Sequence, residues 1–232
     1  MKSQSQLKQD LKVLKFYNNK NYGYFVEIGS SDGICLSNTY LLEKEFGWGG
    51  ICVEALPSKF EDLKNNRPNA ICINKPIYSE SNIEVNFDIA HVCDLLSGIS
   101  LNIDKHKTQV DKDKTTIKLT TLSLNDLLEN CNAPKFIEYL SLDTEGSEFE
   151  ILKTLNFDKY KFGYIDLEHN FVEPRRSNIK QLLENNGYKY LGQNQFDDTY
   201  TFIHTNNCDC EFCYEESEID KKWKKNLNYK LN

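Results

Sequence analysis

Two acidic residues flank a glycine-containing turn near the start of the chain, in the sequence VEIGSSDG. Gly29 and Gly33 allow the backbone to turn tightly and to approach a ligand, and the helix that follows would present free N–H groups. Enzymes that bind dinucleotides place a pyrophosphate at such a turn with the pattern G-x-G-x-x-G, whose middle glycine is missing here. Glu27 and Asp32 would repel a pyrophosphate, and they favour a ligand that carries ammonium or sulfonium charge.

A third acid, Glu54, stands where a nucleotide-binding fold contacts the ribose. It ends the next strand-like segment, 21 residues after Gly33, and an acid at this place accepts hydrogen bonds from the ribose hydroxyls. S-adenosylmethionine combines a ribose with both positive charges, so these residues predict that cofactor rather than NAD. The turn alone does not decide the matter, because tight turns use glycine in many proteins that bind no nucleotide.

The segments that would hold these residues alternate between strand and helix. YFVEI and GGICVEAL are strand-like, and each is followed by a helical pattern, the first beginning near Ser37 and the second running from Pro57 to Arg67. The later segments are strands at 70–73, 135–142 and 162–167, helices at 122–130, after a capping box at 147–150 and at 174–186, and two closing strands. This order predicts a doubly wound α/β fold with a mostly parallel sheet, closed by a hairpin that makes one edge antiparallel.

Two further parts of the chain surround this pattern. Leu7, Leu11 and Leu14 lie at helical spacing and predict an amphipathic helix within 1–20 that packs on the domain. The polar sequence KHKTQVDKDK, at 105–114, predicts an exposed loop between short strands. Such a loop often carries substrate contacts, but a solvated spacer accounts equally well for its composition.

Four separated motifs make the chain resemble one known family. They are FVEIGSSDG, SNTYLLE, GWGGICVE and LSLDTEGSEFEIL, and the resemblance runs from about Tyr24 to Ile203. The family is the FkbM family of S-adenosylmethionine-dependent O-methyltransferases. It implies a Rossmann-like class I methyltransferase fold, with seven strands of which the last is antiparallel. It also implies methyl transfer to a hydroxyl group, commonly on a sugar or a glycosylated natural product.

The resemblance assigns cofactor contacts to particular residues. Asp143 becomes the acid beside the transferable methyl group. The chain departs from common family members at Glu27, where Asp is usual, and at Ser30-Ser31, where Gly-Ala is usual; both changes leave the assignment in place. The remaining cofactor contacts implied by the resemblance are Glu27, Gly29, Ser30, Asp32, Gly33, Glu54 and Ala55.

Methyl transfer to an aliphatic hydroxyl requires a group that removes its proton while oxygen, methyl and sulfur are held in line. Candidate groups follow two neighbouring strands, with Asp143 and Glu145 after one and Glu168, His169 and Asn170 after the other. Asp143, Glu145 and His169 are the catalytic candidates. His169 would serve as general base at neutral pH or as one face of the acceptor pocket, the alternative being a histidine that is merely hydrogen-bonded.

Oxygen-bearing side chains at this place also suit Mg²⁺ or Mn²⁺, which would lower the pKa of the acceptor hydroxyl. Some O-methyltransferases of this fold hold a metal on acids at these strand ends. By that resemblance, the expected metal ligands are Asp143, Glu168 and Asn170.

These acids also have a purely structural interpretation. Glu145 and Glu148 would favour the N-terminus of the helix that follows them. Glu168 would pair with Arg175 or Arg176. Both interpretations of the cluster stay open at the level of sequence, because carboxylate clusters also serve structure.

The composition argues against several other functions. The formal net charge is −7 and the pI is about 5.2, so no positive field would attract nucleic acid. Hydrophobic residues at 39% and charged residues at 27% are ordinary for a globular domain. No apolar stretch is long enough for membrane insertion, and the N-terminal residues lack the apolar centre of a signal peptide. We therefore expect a soluble, cytoplasmic protein.

The eight cysteines fall into two groups. Five are scattered singly, several in apolar segments, which favours reduced and buried thiols over a disulfide framework. The others belong to the pattern H-x3-C-x-C-x2-C formed by His204, Cys208, Cys210 and Cys213. These residues offer four ligands to a tetrahedral zinc ion, the alternative being a tail with free thiols.

The chain thus divides into a helix at 1–20, a methyltransferase domain at 21–205 and a Cys-rich, basic tail at 206–232. The leading hypothesis is an O-methyltransferase acting on a sugar or glycan acceptor. A non-catalytic scaffold that keeps the fold for interaction is the alternative, since fold does not establish activity. An NAD-dependent oxidoreductase is disfavoured by the missing glycine. The acceptor and the oligomeric state are left open.

Overall fold

Strands and helices alternate along the chain as the hydrophobic pattern predicts. The structure is a computed structural model that describes residues 2–203. Its helices are α1 (Gln9–Phe16), α2 (Tyr40–Phe46), α3 (Pro57–Asn66), α4 (Lys107–Val110), α5 (Leu124–Asn130), α6 (Glu148–Leu152) and α7 (Arg175–Asn185). Its strands are β1 (Tyr24–Ile28), β2 (Gly49–Val53), β3 (Ile71–Ile73), β4 (Ile77–Tyr78), β5 (Glu84–Ala90), β6 (Gly98–Ile99), β7 (Lys114–Thr120), β8 (Leu122–Ser123), β9 (Phe136–Leu142), β10 (Lys161–Glu168), β11 (Tyr188–Asn194) and β12 (Asp197–Phe202). None of the helices within residues 2–203 is long and apolar enough to cross a membrane.

Seven strands form the central sheet, in the order β3-β2-β1-β9-β10-β12-β11. β1 lies parallel to β2 on one side and to β9 on the other, and β10 continues this direction. The last strand, β12, runs antiparallel to both β10 and β11, because the closing hairpin contains no helix that would return the chain to the opposite end of the sheet. The predicted doubly wound, mostly parallel α/β sheet with an antiparallel last strand is confirmed.

Apolar side chains cover both faces of this sheet. Val26 and Leu140 belong to the larger apolar cluster, on the face covered by α5, α6 and α7. Phe25 and Tyr139, their neighbours in sequence, belong to a second cluster with side chains of α1 and α2. Successive residues of a strand point to opposite faces, so strands buried on both sides are apolar throughout. This is why the strands could be recognised as short apolar runs.

The N-terminal helix is shorter than the pattern over 1–20 predicts. Only residues 9–16 are helical, and residues 2–8 form an isolated bridge and a turn instead. Ser5 forms a β-bridge with Leu36, and the Asn194 side chain donates a hydrogen bond to the Leu7 carbonyl at 3.2 Å. The segment before α1 therefore joins the turn after β1 to the closing hairpin.

The predicted capping box at the start of α6 is wrong. Ser147 precedes the helix, but its hydroxyl accepts no hydrogen bond from the helix backbone. Glu148 Oε1 instead accepts the N–H groups of Thr144 at 3.0 Å and Gly146 at 3.1 Å. A carboxylate inside the first turn thus satisfies backbone donors of the preceding turn.

Residues 84–120 build a small antiparallel sheet in which β5 pairs with β6 and β7. The predicted exposed loop at 105–114 is therefore only partly right, since it contains α4 and leads directly into β7. Val110 of α4 is buried and packs with Ala90 and Ile103. This small apolar cluster gives the polar sequence a fixed conformation.

Close backbone contact fixes the small sheet to the central one. A Cβ atom at Gly146 would lie 2.0 Å from the Asn102 carbonyl oxygen, and the φ angle of Gly146 is +127°. Only glycine permits this approach at that backbone conformation. Arg175 adds an ion pair with Asp104. The small sheet therefore packs directly on the turn that follows β9.

We expect Asp88→Asn to destabilise the small sheet. Asp88 is buried, and its carboxylate accepts hydrogen bonds from Lys114 Nζ at 2.7 Å and Thr116 Oγ1 at 2.6 Å. Losing the charge should lower the free energy of unfolding by about 1–3 kcal/mol in urea denaturation. Glu84→Gln breaks the exposed Glu84–Lys118 pair and should change it by less than about 1 kcal/mol. Equal losses in the two variants would contradict the expectation.

The same contact has a defined pH dependence. Burial opposes the charge of Asp88, but the hydrogen bonds from Lys114 and Thr116 outweigh it and lower the pKa of Asp88. A lowered pKa contributes stability that is present above the unfolded pKa, near 4, and is lost as the pH falls through the folded pKa. The Asp88→Asn variant should lack this part of the acid sensitivity.

Candidate active site

A cavity of about 400 Å³ opens at the carboxyl ends of the central parallel strands. Its walls include the residues that end β1, β2, β9 and β10, together with residues 93–99 of the small sheet. The chain leaves β1 toward β2 on one side and later adds β9 on the other, and open α/β sheets bind ligands at such a point. The volume suits a ligand of cofactor size.

The turn after β1 forms one end of the cavity. Gly29 and Ser30 line it, whereas Asp32 and Gly33 lie outside the lining. Asp32 Oδ1 accepts the N–H group of Ile34 at 2.9 Å, so this carboxylate stabilises the turn itself. Of the four residues in this turn that were predicted to contact the cofactor, two line the cavity and two lie behind those that line it.

Glu27 lines the cavity, but the protein itself engages its carboxylate. The side chain is 2% exposed, and its oxygens accept hydrogen bonds from Ser37 Oγ at 2.9 Å, the Asn38 N–H at 2.6 Å and Thr39 Oγ1 at 2.8 Å. Arg67 approaches the same carboxylate at 3.4 Å. Glu27 thus shapes the segment that follows the turn.

Glu54 directly follows β2 and lines the cavity together with Ala55. Its carboxylate accepts the N–H groups of Ser31 at 2.8 Å and Leu56 at 2.7 Å. Burial raises the pKa of Glu54, and these two N–H groups oppose the shift. Each oxygen keeps a further lone pair, so Glu54 can also accept hydrogen bonds from ribose hydroxyls.

Three carboxyl groups meet at the other end of the cavity. Asp143 follows β9, Glu145 lies in the next turn and Glu168 ends β10, and one oxygen of each lies within 4.8 Å of the others. β9 and β10 are parallel neighbours in register, so their ends reach the same edge of the sheet. The structure thus brings together the two strand ends, as the sequence predicts.

Burial and mutual repulsion govern the protonation of these three acids. Burial first, and then the neighbouring carboxylates, raise the pKa values of Asp143, Glu145 and Glu168. Glu168 is 8% exposed, and its Oε2 atom has no hydrogen-bond partner within residues 2–203. Three adjacent carboxylates cannot all ionise unless a cation offsets their charge. The cluster therefore either keeps protons or binds a cation.

Asn170, the third predicted metal ligand, lines the cavity without joining the group of three acids. Its Oδ1 atom accepts a hydrogen bond from Lys105 Nζ at 3.3 Å. Glu145 occupies the place expected for Asn170 in the ligand set.

The arginines that could have paired with Glu168 have other partners. Arg175 lies 3.5 Å from Glu148, and Arg176 forms two hydrogen bonds of 2.7 Å with Asp198. The expected pairing of Glu168 with an arginine is therefore wrong, whereas Glu148 does lie in the first turn of α6, where a carboxylate favours the helix N-terminus.

His169 lies beside the cavity and does not line it. The ring is 0% exposed; Nδ1 accepts the Phe171 N–H at 2.9 Å, and Nε2 lies 3.6 Å from Asp198 Oδ1. Burial lowers the pKa of His169, although Asp198 opposes this. Since Nδ1 accepts an N–H, the neutral form of the ring carries its proton on Nε2. The structure does not bring this imidazole to the predicted acceptor site.

Two cavity acids escape the sequence reasoning. Asp166 lines the cavity because it stands two residues before Glu168 on β10 and points to the same side. Asp197 begins β12 opposite Glu168 and accepts a hydrogen bond from Gln9 at 2.6 Å. Burial raises the pKa of Asp166 to about 7 and that of Asp197 to about 6. The two-residue spacing before Glu168 was a usable signal for Asp166.

The profile of the "Methyltransferase FkbM domain" matches residues 27–190, which run from the end of β1 into β11 and include all the cavity acids above except Asp197. The chain belongs to the FkbM methyltransferase family. Methyl transfer is therefore its class of reaction, and the resemblance of the four motifs is confirmed. No protein of curated function is significantly similar to it in sequence.

Solved methyltransferases share the fold of this FkbM domain. The METTL16 methyltransferase domain has a TM-score of 0.51 at 12% identity, with 86% of this chain and 68% of that chain covered. Precorrin-6y C5,15-methyltransferase from Geobacter metallireducens GS-15 has a TM-score of 0.47 at 10% identity, with 83% and 86% covered. The N-terminal domain of human METTL16 in complex with SAH has a TM-score of 0.46 at 12% identity, with 84% and 68% covered. At such identities the likeness concerns the class I methyltransferase fold alone.

The candidate zinc ligands His204, Cys208, Cys210 and Cys213 lie outside the described residues. The five cysteines within residues 2–203 are free thiols.

Proposed function

We propose that this FkbM-family protein transfers a methyl group from S-adenosylmethionine to a hydroxyl group of a sugar or glycan. One observation carries the proposal: a single cavity has the turn after β1 and Glu54 at one end and the acids Asp143, Glu145 and Glu168 at the other. The first end suits a nucleoside with a methionine part. The second end suits an acceptor that must lose a proton.

The chain's residues hold the donor in a defined direction. Bound S-adenosylmethionine supplies an electrophilic methyl group on a sulfonium centre. Glu54 accepts hydrogen bonds from the ribose hydroxyls, which leaves the turn at Gly29 beside the methionine part. A Cβ atom at Gly29 would lie 2.0 Å from the Asp143 carbonyl oxygen, so the turn touches the strand end that carries the acids. This contact directs the methyl group toward the acid cluster.

A carboxylate of the cluster takes the proton of the acceptor hydroxyl in this proposal. Asp143 is assigned this role because it lies nearest to the turn at Gly29. Its raised pKa brings it closer to the range that suits a base at neutral pH. Glu168 and Glu145 each place a carboxyl oxygen within 4.8 Å of Asp143 and would orient it.

A divalent cation fits the same residues by their donor chemistry. Carboxylate oxygens are preferred ligands of Mg²⁺ and Mn²⁺, and Glu168 Oε2 is buried without a partner in the described chain. Asp143, Glu145 and Glu168 would hold the ion. When bound, it would lower the pKa of the acceptor hydroxyl.

The charge of the cavity favours a neutral, hydroxyl-rich acceptor over a nucleic acid. A phosphate backbone would be repelled by whichever of the cavity acids are ionised, whereas sugar hydroxyls can form hydrogen bonds with a carboxyl group in either protonation state. The cavity acids at this end are Asp143, Glu145, Asp166, Glu168 and Asp197.

Two measurements test the proposal. Titration calorimetry with S-adenosylhomocysteine (SAH) tests the donor end of the cavity. Mass spectrometry of glycans from the source, with and without the gene, tests the acceptor. Binding of SAH together with methylated glycans that vanish without the gene is the expected result. Binding without any methylated product would favour a non-catalytic scaffold, and absence of SAH binding would contradict the proposal.

Replacing Glu54 by Ala should weaken SAH binding by about 1–3 kcal/mol, because the charge-assisted hydrogen bonds to the ribose are lost. Glu61→Ala is a matched control, since Glu61 is exposed on α3. Calorimetry that shows equal affinities for the two variants would refute the ribose assignment.

Removal of divalent cations with EDTA should reduce methyl transfer, and Mg²⁺ or Mn²⁺ should restore it, because the ion offsets the charge of three crowded carboxylates. The measurement is the initial rate on the glycan acceptor, and Ca²⁺ is the comparison ion. Full activity in EDTA would exclude the metal and leave deprotonation to the carboxylates alone.

A further inference from the structure

We infer that Asn66 and Arg67, at the end of α3, are positioning residues that hold the turn after β1 in the shape that binds the cofactor. The inference rests on the proposed function and deepens it. Neither residue lines the cavity, so neither can act by touching the ligand. Their effect would pass through the backbone of the turn and of the segment after it.

The Arg67 guanidinium is 0% exposed and spans the segment that follows the turn. Nη1 donates to the Gly33 carbonyl at 3.2 Å and to Ser37 Oγ at 3.1 Å, and Nη2 donates to Thr39 Oγ1 at 2.8 Å. These bonds hold the segment at its start and at its end. One planar group therefore fixes the path of the chain from the turn to α2.

Two buried carboxylates from different elements compensate the charge of Arg67. Nε lies 2.6 Å from Glu43 Oε2 on α2, and Nη1 lies 3.4 Å from Glu27 Oε2 on β1. Glu27 also accepts the Asn38 N–H at 2.6 Å, inside the segment that Arg67 spans. Since an unpaired buried charge is costly, the ion network forces β1, α2 and α3 to keep one arrangement around the turn.

Asn66 holds the turn itself. Its Nδ2 donates to the Asp32 carbonyl at 2.8 Å, one residue before the carbonyl that Arg67 binds. Asn66 is half-buried, so its hydrogen bond can be removed without opening a cavity in the core.

Helix α3 contacts the donor site at both ends of the helix. The Glu54 carboxylate binds the Leu56 N–H just before the helix, and Asn66 and Arg67 bind the turn at its other end. Glu54 also accepts the Ser31 N–H in the turn at 2.8 Å, so this direct bond and the ten-residue helix together hold the turn beside the ribose-binding acid. A turn that is already held in its binding shape loses less conformational entropy when the cofactor binds. The affinity of the protein for the cofactor is therefore higher.

The first test compares two neighbouring asparagines of α3 by titration with SAH. Asn66→Ala should weaken SAH binding about three- to tenfold, the value of one hydrogen bond, at a Tm close to that of the wild type. Asn65→Ala is the matched control, because Asn65 is exposed on the same helix, and it should bind as the wild type does. Hydrogen exchange of the backbone amides at 29–38 should accelerate in Asn66→Ala and not in Asn65→Ala.

Arg67→Lys is the second test, since it keeps the charge and loses the planar group of donors. SAH binding should weaken at least about tenfold at a temperature where circular dichroism shows the variant folded. A wild type that binds SAH while both Asn66→Ala and Arg67→Lys match its affinity would overturn this inference alone. A wild type that binds no SAH would overturn the proposed function and this role with it.

Discussion

The Asp143→Asn variant should transfer methyl groups about 10²–10⁴ times more slowly than the wild type while binding SAH with nearly the same affinity. The amide has the size of the carboxylate but cannot accept the acceptor's proton. It also removes one charge from the group that would hold a cation. The measurement pairs the initial rate on the glycan acceptor with calorimetry.

Stability separates this loss from misfolding. Because burial and neighbouring acids raise the pKa of Asp143, its ionisation costs stability. The stability that the protonated Asp143 allows is fully present below the pKa of an unfolded Asp, near 4, and is lost as the pH rises through the pKa of Asp143 in the folded protein. The Asn variant avoids this loss, so at pH 8 in EDTA its Tm should equal or exceed that of the wild type.

The matched control is Asp158→Asn, an exposed carboxylate in the segment between α6 and β10. Its turnover should equal that of the wild type, since Asp158 lies outside the cavity lining. Wild-type turnover in Asp143→Asn would mean that the base lies elsewhere in the cavity, with Asp166 the next carboxylate to replace.

Sequence reasoning identified the functional residues that directly follow a strand. Short apolar runs identify the parallel strands, and the residue after each run falls at one edge of the sheet. Glu54 and Asp143 were found in this way, and both line the cavity. The family resemblance gave the number of strands and the antiparallel last strand; the apolar runs do not encode which strands are neighbours.

The prediction for His169 did not take into account that side chains alternate along an extended chain. Glu168 and His169 are consecutive, and consecutive residues of an extended chain point to opposite sides. Once Glu168 is assigned to the cavity, its neighbour His169 belongs to the other face, where it lies beside Asp198, the partner of Arg176. Alternation would also have selected Asp166 as a cavity residue.

The small sheet and the N-terminal segment could not have been placed from the sequence. β6 has only two residues, and the segment that follows it is held by the approach of the Asn102 carbonyl to Gly146, which no apolar pattern records. Gln9 likewise reaches Asp197 across 188 positions of sequence. Contacts between backbone atoms, or between polar side chains distant in sequence, leave no periodic signal.

Replacing Gly29 by Ala should abolish SAH binding within the range of calorimetry, a loss of at least about 100-fold. The added Cβ atom would lie 2.0 Å from the Asp143 carbonyl oxygen, and the φ angle of +90° is one that alanine rarely adopts. β1 and β9 are paired up to this point, so the clash cannot be relieved without separating the turn from the acid cluster. We expect the free energy of unfolding to fall by about 2–5 kcal/mol, from strain and overpacking together.

Gly49→Ala provides the control that gives this experiment its meaning. Gly49 begins β2, its φ angle is not in the left-handed region, and no atom lies within 4 Å of the position of an added Cβ. This variant should bind SAH as the wild type does and unfold within about 1 kcal/mol of it. If Gly29→Ala kept wild-type affinity while folded, the turn after β1 would not contact the cofactor, and the donor would have to lie elsewhere in the cavity. If both variants lost binding equally, the loss would reflect general destabilisation of β1 and β2, and the close contact between Gly29 and Asp143 would not explain it.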